Sequence, residues 1–196
     1  MPQDWPFWVD MMCEAPMYPY LRMFKEMWKY QSAPKLGVLD PHISYHRIWP
    51  QDLDPWRELN NGRTLTLFDL GRIPMARRMG LDKVLAQNGW GLTVAGNSTR
   101  YRRRVTLFQR LRLASRVIGW DDRFIYIEQS FWREDECTAQ MLLRSAIISK
   151  GGMVPPAEMV AALGAEIPSP PLPDWARAWI AADALRPWPP EGGNLR

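Results

Sequence analysis

The alternation of apolar and polar side chains predicts a chain rich in β-strands. Five stretches follow a strand pattern, over residues 43–49, 92–103, 107–120, 124–132 and 138–149. In the third of these, Leu111, Leu113 and Val117 share one face, and Arg110, Arg112 and Arg116 share the other. The apolar face predicts core, and the arginine face predicts a wet or interfacial surface. Short acidic turns between the later stretches favour antiparallel pairing.

One long segment, from Gly62 to about Gly80, is apolar around most of its circumference, which is typical of a helix buried on several sides. Pro74 lies inside it and removes one backbone hydrogen bond, so we expect a kink or an end near residues 71–73. Asp69 and Arg72 either pair with each other or line a substrate channel, and pairing is favoured. Together these patterns predict an α+β fold, with an antiparallel sheet of five or more strands wrapped around a central helix.

The residues before the first predicted strand indicate an N-terminal extension. Residues 1–16 are interpreted as an extended arm, and helical periodicity over residues 17–31 predicts a short amphipathic helix. We expect this helix to pack across the domain or onto a partner subunit, and contact with a membrane surface is the alternative. The predicted division is 1–41 for the arm and amphipathic helix, 42–150 for the main domain, and 151–196 for C-terminal helices and a proline-rich tail.

The C-terminal residues predict two short helices. The first begins at Pro155-Pro156 and ends near Gly164. The second runs from about Asp174 to Leu185, and Asp174 is placed as its N-cap.

Candidate chemistry is concentrated between residues 47 and 72. A β-prone run stops at Pro50, an acidic loop follows, and the long apolar helix starts directly behind Asn60-Asn61-Gly62. The first turn of a helix has unpaired N–H groups and a positive dipole end, which favour an incoming negative charge. Asp54 lies in the loop that leads there. Its carboxylate either activates water or attacks a carbonyl, with those N–H groups stabilising the oxyanion, or it only caps its own turn.

Several short motifs lie between residues 43 and 164. They are Asp52-Leu53-Asp54 followed by Asn60-Asn61-Gly62-Arg63, Phe68-Asp69-Leu70-Gly71-Arg72, Tyr101-Arg102-Arg103-Arg104, Leu107-Phe108-Gln109-Arg110 and Gly119-Trp120-Asp121-Asp122. In order and spacing they resemble hotdog-fold thioesterases of the 4-hydroxybenzoyl-CoA thioesterase superfamily, in the acyl-CoA thioesterase branch related to thioesterase superfamily member 6. The resemblance implies a hotdog fold, a role in lipid metabolism, and hydrolysis of a fatty or aromatic acyl-CoA or an acyl-carrier-protein thioester. It also implies a homodimer or dimer of dimers with active sites at the subunit seam.

The resemblance assigns roles to the residues around the helix start. Asp54 matches the catalytic carboxylate, as general base or nucleophile, and the backbone N–H of Gly62 or of a first-turn neighbour such as Asn61 supplies the oxyanion hole. Related plant acyl-carrier-protein thioesterases have Asn and His where this chain has Trp56 and Glu58, so the His-assisted mechanism is absent. Asp54 then works alone or with Glu58. Alternatively, the protein is a catalytically silent hotdog protein that binds acyl chains or a protein partner.

The excess of positive charge is confined to one segment. The formal net charge is +4, yet residues 83–120 hold eight Lys and Arg side chains and no Asp or Glu, so the remainder of the chain carries −4. Such a local field attracts phosphates. Arg102, Arg103 and Arg104 are candidates for binding the coenzyme A phosphates, because guanidinium groups suit phosphate oxygens. A solvated basic face and a nucleic-acid-binding module are the alternatives, and we expect no nucleic-acid partner.

Other residue types point away from metal and redox chemistry. His42 and His46 share one face of a predicted strand without further ligands, so we interpret them as structural. Cys13 and Cys137 form no metal-ligand, redox or disulfide spacing, which favours a reducing, cytoplasmic compartment. No cofactor is expected, since coenzyme A enters only as part of the substrate. We also expect no transmembrane segment, and peripheral membrane contact stays open.

Overall fold

A computed structural model describes residues 18–190 as a six-stranded antiparallel sheet packed around one long helix. The helices are α1 (Tyr20–Lys29), α2 (Asn61–Met79), α3 (Leu81–Asn88), α4 (Pro156–Ala162) and α5 (Asp174–Ala184). The strands are β1 (His42–Arg47), β2 (Gly91–Tyr101), β3 (Arg110–Trp120), β4 (Ile125–Arg133), β5 (Glu136–Ser149) and β6 (Gly152–Val154). Strands follow the order β1-β3-β4-β5-β2, and β6 pairs with β5. The predicted arm over residues 1–16 and the end of the predicted tail, 191–196, lie outside the described residues.

The core lies between α2 and the inner face of the sheet. Phe68 of α2 is fully buried, and its ring stacks on that of Phe131 in β4, with 4.6 Å between the ring centroids. Apolar side chains of the central strands complete the layer, among them Leu111, Leu113, Val117, Met141 and Leu143. The predicted α+β architecture is confirmed, as is the division of β3 into a buried apolar face and a wetter arginine face.

Pro74 led us to expect a kink or an end of α2 near residues 71–73, and the helix does not end there. It continues through Pro74 to Met79. Pro74 and Met75 are buried, so packing against the sheet holds the second half of the helix despite the missing backbone hydrogen bond. Six residues before Pro74, the Phe68 carbonyl accepts a 2.8 Å hydrogen bond from the buried Gln129 side chain of β4. Tertiary contacts therefore outweigh the local helix breaker.

Three local features differ from the sequence prediction. Helix α3 follows α2 directly and was missed, because its eight residues are too few to establish a period. Strand β6 extends the sheet beyond Gly151, where the strand pattern ends. Helix α5 has Pro173 rather than Asp174 as its N-cap, because the Pro173 carbonyl accepts the first hydrogen bond, from the N–H of Ala176. The Asp174 carboxylate pairs with Arg177 instead.

Gly71 allows α2 to approach β3 closely. A Cβ atom at this position would lie 2.6 Å from Cδ2 of Leu113 and 2.6 Å from Oγ of Ser115. We predict that Gly71→Ala lowers the free energy of unfolding by about 1–3 kcal/mol through overpacking, although alanine is the better helix former. Urea denaturation measures this change. Gly151→Ala is the control, since its Cβ would meet nothing closer than 3.6 Å, and equal stability of the two variants would contradict the close approach.

His42 and His46 point into the domain from β1. Both are buried, and Ser44 lies between them on the same face. The Nδ1 atom of His42 lies 3.0 Å from Arg78, and Nε2 of His46 lies 2.8 Å from the Ser44 hydroxyl. Burial, aided by nearby cations, lowers the pKa of His42 to about 4 and that of His46 to about 3. The structural interpretation of the two histidines therefore fits neutral, hydrogen-bonded rings.

The buried histidines predict that stability falls as the solution is acidified below about pH 6.5. An unfolded histidine binds a proton near pH 6.5, whereas the folded rings stay neutral until pH 4 or below, so the unfolded state takes up more protons in that window. At pH 5.5 the loss is on the order of 1 kcal/mol per histidine relative to pH 7.5. Urea denaturation at both pH values measures it, and His46→Gln should reduce the slope. A pH-independent stability over this range would contradict the assignment.

Helix α1 packs across the domain, as expected. Met23 enters the main core, the Arg22 guanidinium donates to the Arg47 carbonyl at 3.1 Å, and the Tyr30 hydroxyl donates to the Ile43 carbonyl at 3.0 Å. These bonds join both ends of α1 to β1 and the residues next to it.

Helix α5 covers part of the outer face of the sheet. Its Ala176 is buried there, and Asp183 forms a 2.7 Å ion pair with Arg144 of β5. The half of the outer face formed by β1 and β3 is not covered by this helix, so their arginines stay accessible. Within residues 18–190, no helix combines the length and apolar character that crossing a bilayer requires.

Candidate active site

The loop before α2 is a small hairpin. Leu53 and Leu59 form an isolated antiparallel bridge, and the N–H of Asp54 donates to the Glu58 carbonyl at 2.8 Å. The N–H of Asn60 then donates to the Asp52 carbonyl at 2.9 Å. This pairing sets Asp54 and Glu58 opposite each other, directly before the first turn of α2.

Asp54 uses one of its two carboxylate oxygens to close this hairpin. Its Oδ1 accepts hydrogen bonds from the N–H groups of Trp56, at 3.0 Å, and Glu58, at 3.1 Å. Its Oδ2 has no hydrogen-bond partner in the part of the chain that the structure describes, and the residue is half-buried. Asp54 therefore does cap its own turn through Oδ1. The same bonds fix the orientation of its carboxylate, and Oδ2 remains available to accept a proton.

Asp52 anchors the loop between two helices. Its buried carboxylate forms ion pairs with Arg22 of α1 at 2.7 Å and with Arg63 of α2 at 3.2 Å. It also accepts the N–H of Trp49 at 2.9 Å. The first aspartate of the Asp-x-Asp pair is thus structural, and it holds the position from which Asp54 projects.

The first turn of α2 presents two N–H groups to solvent. Asn60 is the N-cap, and its side-chain oxygen accepts the N–H of Arg63 at 3.0 Å. Within residues 18–190, no acceptor takes the N–H of Asn61 or Gly62. Both residues are exposed, so these donors and the positive end of the helix dipole are open to an incoming oxyanion.

A small cavity of about 70 Å³ adjoins this turn. Its polar lining includes Glu58, Asn61, Tyr101, Arg103 and Arg104. The Glu58 carboxylate pairs with Arg104 at 2.9 Å, and the Tyr101 hydroxyl donates to the Asn61 carbonyl at 3.4 Å. Arg103 pairs with Glu136 of β5. The cavity lining therefore combines a carboxylate, the first residue of α2 and guanidinium groups.

The predicted site residues are only partly brought together. Glu58, Asn61, Arg103 and Arg104 border the cavity, whereas Asp54, Gly62 and Arg102 do not line it. Trp56 is 74% exposed and is not among the residues that line the cavity. Tyr101 was missed as a site residue. The sequence did contain a signal for this residue. Tyr101 stands at the end of a predicted strand, after a run of polar residues and directly before three arginines.

Asp69 and Arg72 form an ion pair within α2, which confirms the favoured interpretation. Arg72 also donates to the Gln129 side chain at 3.2 Å, and the Tyr18 hydroxyl donates to Asp69 at 3.3 Å. Burial raises the pKa of Asp69, and the Arg72 charge counteracts part of that rise. This network joins α2 to β4 and to the residues before α1.

An apolar cavity lies between the second half of α2 and the sheet. Its volume is about 20 Å³, and Met75, Met79, Val117 and Ile127 are part of its lining. This volume is too small for an acyl chain within a single subunit.

Comparison with known proteins identifies the family. A model of the family described as "Thioesterase-like superfamily" matches residues 48–180, which include the whole hairpin, α2 and the cavity. The chain belongs to the thioesterase-like superfamily. It is 30% identical to protein THEM6 of Xenopus laevis over 145 residues, or 73% of this chain and 69% of that protein. Its matches to the THEM6 proteins of Danio rerio and Drosophila melanogaster span 58% and 51% of their lengths.

Solved structures of thioesterases share the fold of this superfamily member. The probable thioesterase YbaW of Escherichia coli aligns with a TM-score of 0.58 at 16% identity, covering 62% of this chain and 98% of that one. The DHNA-CoA thioesterase of Staphylococcus aureus aligns with a TM-score of 0.53 at 14% identity, covering 74% and 92%. The predicted hotdog fold is therefore confirmed. The predicted superfamily is confirmed by the family match to residues 48–180.

Proposed function

We propose that this member of the thioesterase-like superfamily hydrolyses acyl thioesters at the start of α2. The observation that carries the proposal is the hairpin geometry. A carboxylate with a fixed orientation and one oxygen without a partner, Asp54, directly precedes a helix turn whose first N–H groups have no acceptor in the described chain. Thioester hydrolysis requires a base and an oxyanion site, and both are supplied here by one short loop.

The reaction follows from these groups. With Asp54 as general base, its Oδ2 takes a proton from water, and the water oxygen attacks the thioester carbonyl carbon. The carbonyl oxygen becomes an oxyanion, which the N–H groups of Asn61 and Gly62 stabilise. Collapse of this intermediate breaks the C–S bond, and the thiolate takes the proton, giving a carboxylic acid and a free thiol. With Asp54 as nucleophile, its Oδ2 adds to the carbonyl carbon, and the oxyanion of this second adduct, held by the same N–H groups, expels the thiolate to give a mixed anhydride. Water then hydrolyses the anhydride to the carboxylic acid and the regenerated Asp54 carboxylate, and a proton from that water passes to the thiolate.

The substrate in this proposal is a fatty or aromatic acyl thioester of coenzyme A or of an acyl-carrier protein. Arg103 and Arg104 at the cavity, and Arg102 beside them, supply guanidinium groups for phosphates. Acyl-CoA turnover in cytoplasmic lipid metabolism is the corresponding role. Release of free thiol from acyl-CoAs of graded chain length tests the proposal, which predicts turnover of at least one of them above the uncatalysed rate.

A homodimer belongs to the same proposal. Strand β2 ends the sheet, and its outer edge has no partner strand among the described residues. An edge of eleven mostly exposed residues favours pairing with another strand. Such pairing would bring a second subunit next to Tyr101 and the small cavity, and so would supply the missing walls of the acyl site.

The arginines predict a change in KM. Arg103→Gln combined with Arg104→Gln should raise KM for an acyl-CoA about tenfold, because hydrogen bonds to charged groups are lost. The same double variant should barely change hydrolysis of the matching acyl N-acetylcysteamine ester, which lacks phosphates. Arg123→Gln with Lys150→Gln removes equal charge from exposed positions outside β2 and the cavity lining, and serves as the control. Equal effects of the first double variant on both esters would assign the arginines a structural role.

The second candidate is a catalytically silent protein that binds acyl chains or a partner. Two observations favour it. Oδ1 of Asp54 caps its own turn, and the Glu58 carboxylate forms an ion pair with Arg104, so it is less available to assist Asp54 in catalysis. Thiol release separates the two functions. Tight binding of acyl-CoA without turnover of any ester in the panel would support the silent protein.

A further inference from the structure

Helix α1 carries an apolar stripe that residues 18–190 leave exposed. Leu21, Phe24 and Trp28 recur at spacings of three and four, and they are 86%, 68% and 72% exposed. The opposite side of the helix is already used, since Met23 enters the core. Contiguous exposed apolar side chains of this size mark an interaction surface.

A basic groove of about 400 Å³ borders this apolar stripe. It lies between α1 and the outer face of β1 and β3, and its cationic lining residues are Arg22, Lys25, Lys29, Arg47 and Arg110. The acidic side chain in this lining, Glu26, is 3% exposed, and it is outnumbered by the five cationic residues. Burial raises the pKa of its carboxyl, and the charges of Lys29, Lys25 and Arg22 counteract part of that rise. The groove therefore presents a positive surface.

The apolar stripe and the basic groove form one continuous face. At 100° per residue, Lys25 and Lys29 follow the stripe around α1, on the side toward the strands. Trp49 lines the groove, and its exposed ring meets the exposed Phe108 ring edge-on, with centroids 5.9 Å apart. The apolar stripe, the aromatic rings and the cations of the groove thus lie side by side on a single face of the protein.

The geometry points to docking of this face on an anionic phospholipid bilayer. Leu21, Phe24 and Trp28 would enter the boundary of the acyl chains, while the lysines and arginines of the groove contact lipid phosphates. A second copy of the chain suits the face less well, because a two-fold contact would bring two basic grooves together. A nucleic acid would contact the cations and leave the apolar stripe in water.

Vesicle flotation of the full chain tests this docking, which does not depend on catalysis. Binding is expected to vesicles of phosphatidylcholine with phosphatidylserine, to be weaker on phosphatidylcholine alone, and to decline with added salt. In the triple variant Leu21→Ser, Phe24→Ser, Trp28→Ser, the fraction of protein bound to vesicles should fall at least tenfold. Lys25→Gln with Lys29→Gln should reduce binding to the anionic vesicles by about tenfold and leave the weak binding to phosphatidylcholine unchanged.

The control removes apolar side chains that are equally exposed elsewhere. Leu185 and Trp188 are 85% and 90% exposed, so Leu185→Ser with Trp188→Ser should bind vesicles like the parent. Circular dichroism establishes that each variant is folded. The inference would be overturned if the parent did not bind vesicles, or if the triple variant bound them as well as the parent. It would also be overturned if the triple substitution changed only the oligomeric mass measured by light scattering, since the stripe would then be a contact between copies of the chain.

Discussion

Asp54→Asn is expected to lower kcat/KM for acyl-CoA hydrolysis by about 10²- to 10⁴-fold, the usual contribution of a general base. Asparagine keeps a side-chain oxygen that can accept the N–H groups of Trp56 and Glu58, so the hairpin cap survives. The free energy of unfolding should therefore stay within about 0.5 kcal/mol of the parent value. Thiol-release kinetics and urea denaturation measure the two quantities on the same protein.

Two companion variants separate capping from catalysis at this loop. Asp54→Ala removes both the cap and the carboxylate, so it should lose activity and also about 1 kcal/mol of stability. Glu58→Gln removes the carboxylate that borders the cavity but leaves Asp54 in place, and a smaller loss of activity is expected. If Asp54→Asn kept full activity and only Asp54→Ala were impaired, Asp54 would be a turn cap. If Glu58→Gln caused the larger loss, the catalytic role would pass to Glu58.

Asp52→Asn is expected to cause the largest loss of stability. The substitution removes the charge that Arg22 and Arg63 share, in a site where the aspartate is 1% exposed. Breaking a buried ion pair from one side costs about 3–5 kcal/mol, and the lower end applies because the Arg22 side chain keeps some contact with water. Urea denaturation measures the change.

The exposed pair between Arg77 and Asp82 supplies the control for Asp52. Its atoms are 3.9 Å apart, and about half of each side chain is exposed. Asp82→Asn should thus change the free energy of unfolding by less than about 0.5 kcal/mol. Similar effects of Asp52→Asn and Asp82→Asn would mean that Asp52 does not anchor the loop between α1 and α2.

The fold could be predicted from the sequence because its strongest patterns are governed by burial. The faces of β3 and the apolar character of α2 follow from which side chains leave water. Local rules failed where tertiary packing opposed them. Pro74 does not end α2, since the sheet encloses it, and Asp174 does not cap α5, since the Pro173 carbonyl begins that helix.

The candidate site was less accessible to sequence reasoning. The helix start next to Asn60-Asn61-Gly62 and the pairing of Asp69 with Arg72 depend on residues close in sequence, so they could be predicted. The bond between Glu58 and Arg104 joins residues 46 positions apart, and the contact of Tyr101 with Asn61 joins residues 40 apart. Such contacts form only because β2 lies beside the hairpin in the folded chain. No pattern of neighbouring residues in the sequence indicates that β2 and the hairpin are adjacent.

The position of the substrate carbonyl tests the central claim most directly. A crystal structure with a non-hydrolysable acyl-CoA analogue, in which a methylene group separates the carbonyl from sulfur, would locate it. Our account predicts the carbonyl oxygen within hydrogen-bonding distance, about 2.7–3.2 Å, of the N–H nitrogen of Asn61 or Gly62, with Oδ2 of Asp54 facing the carbonyl carbon. An acyl group bound away from the start of α2, with Asp54 still closing only its own turn, would contradict the account.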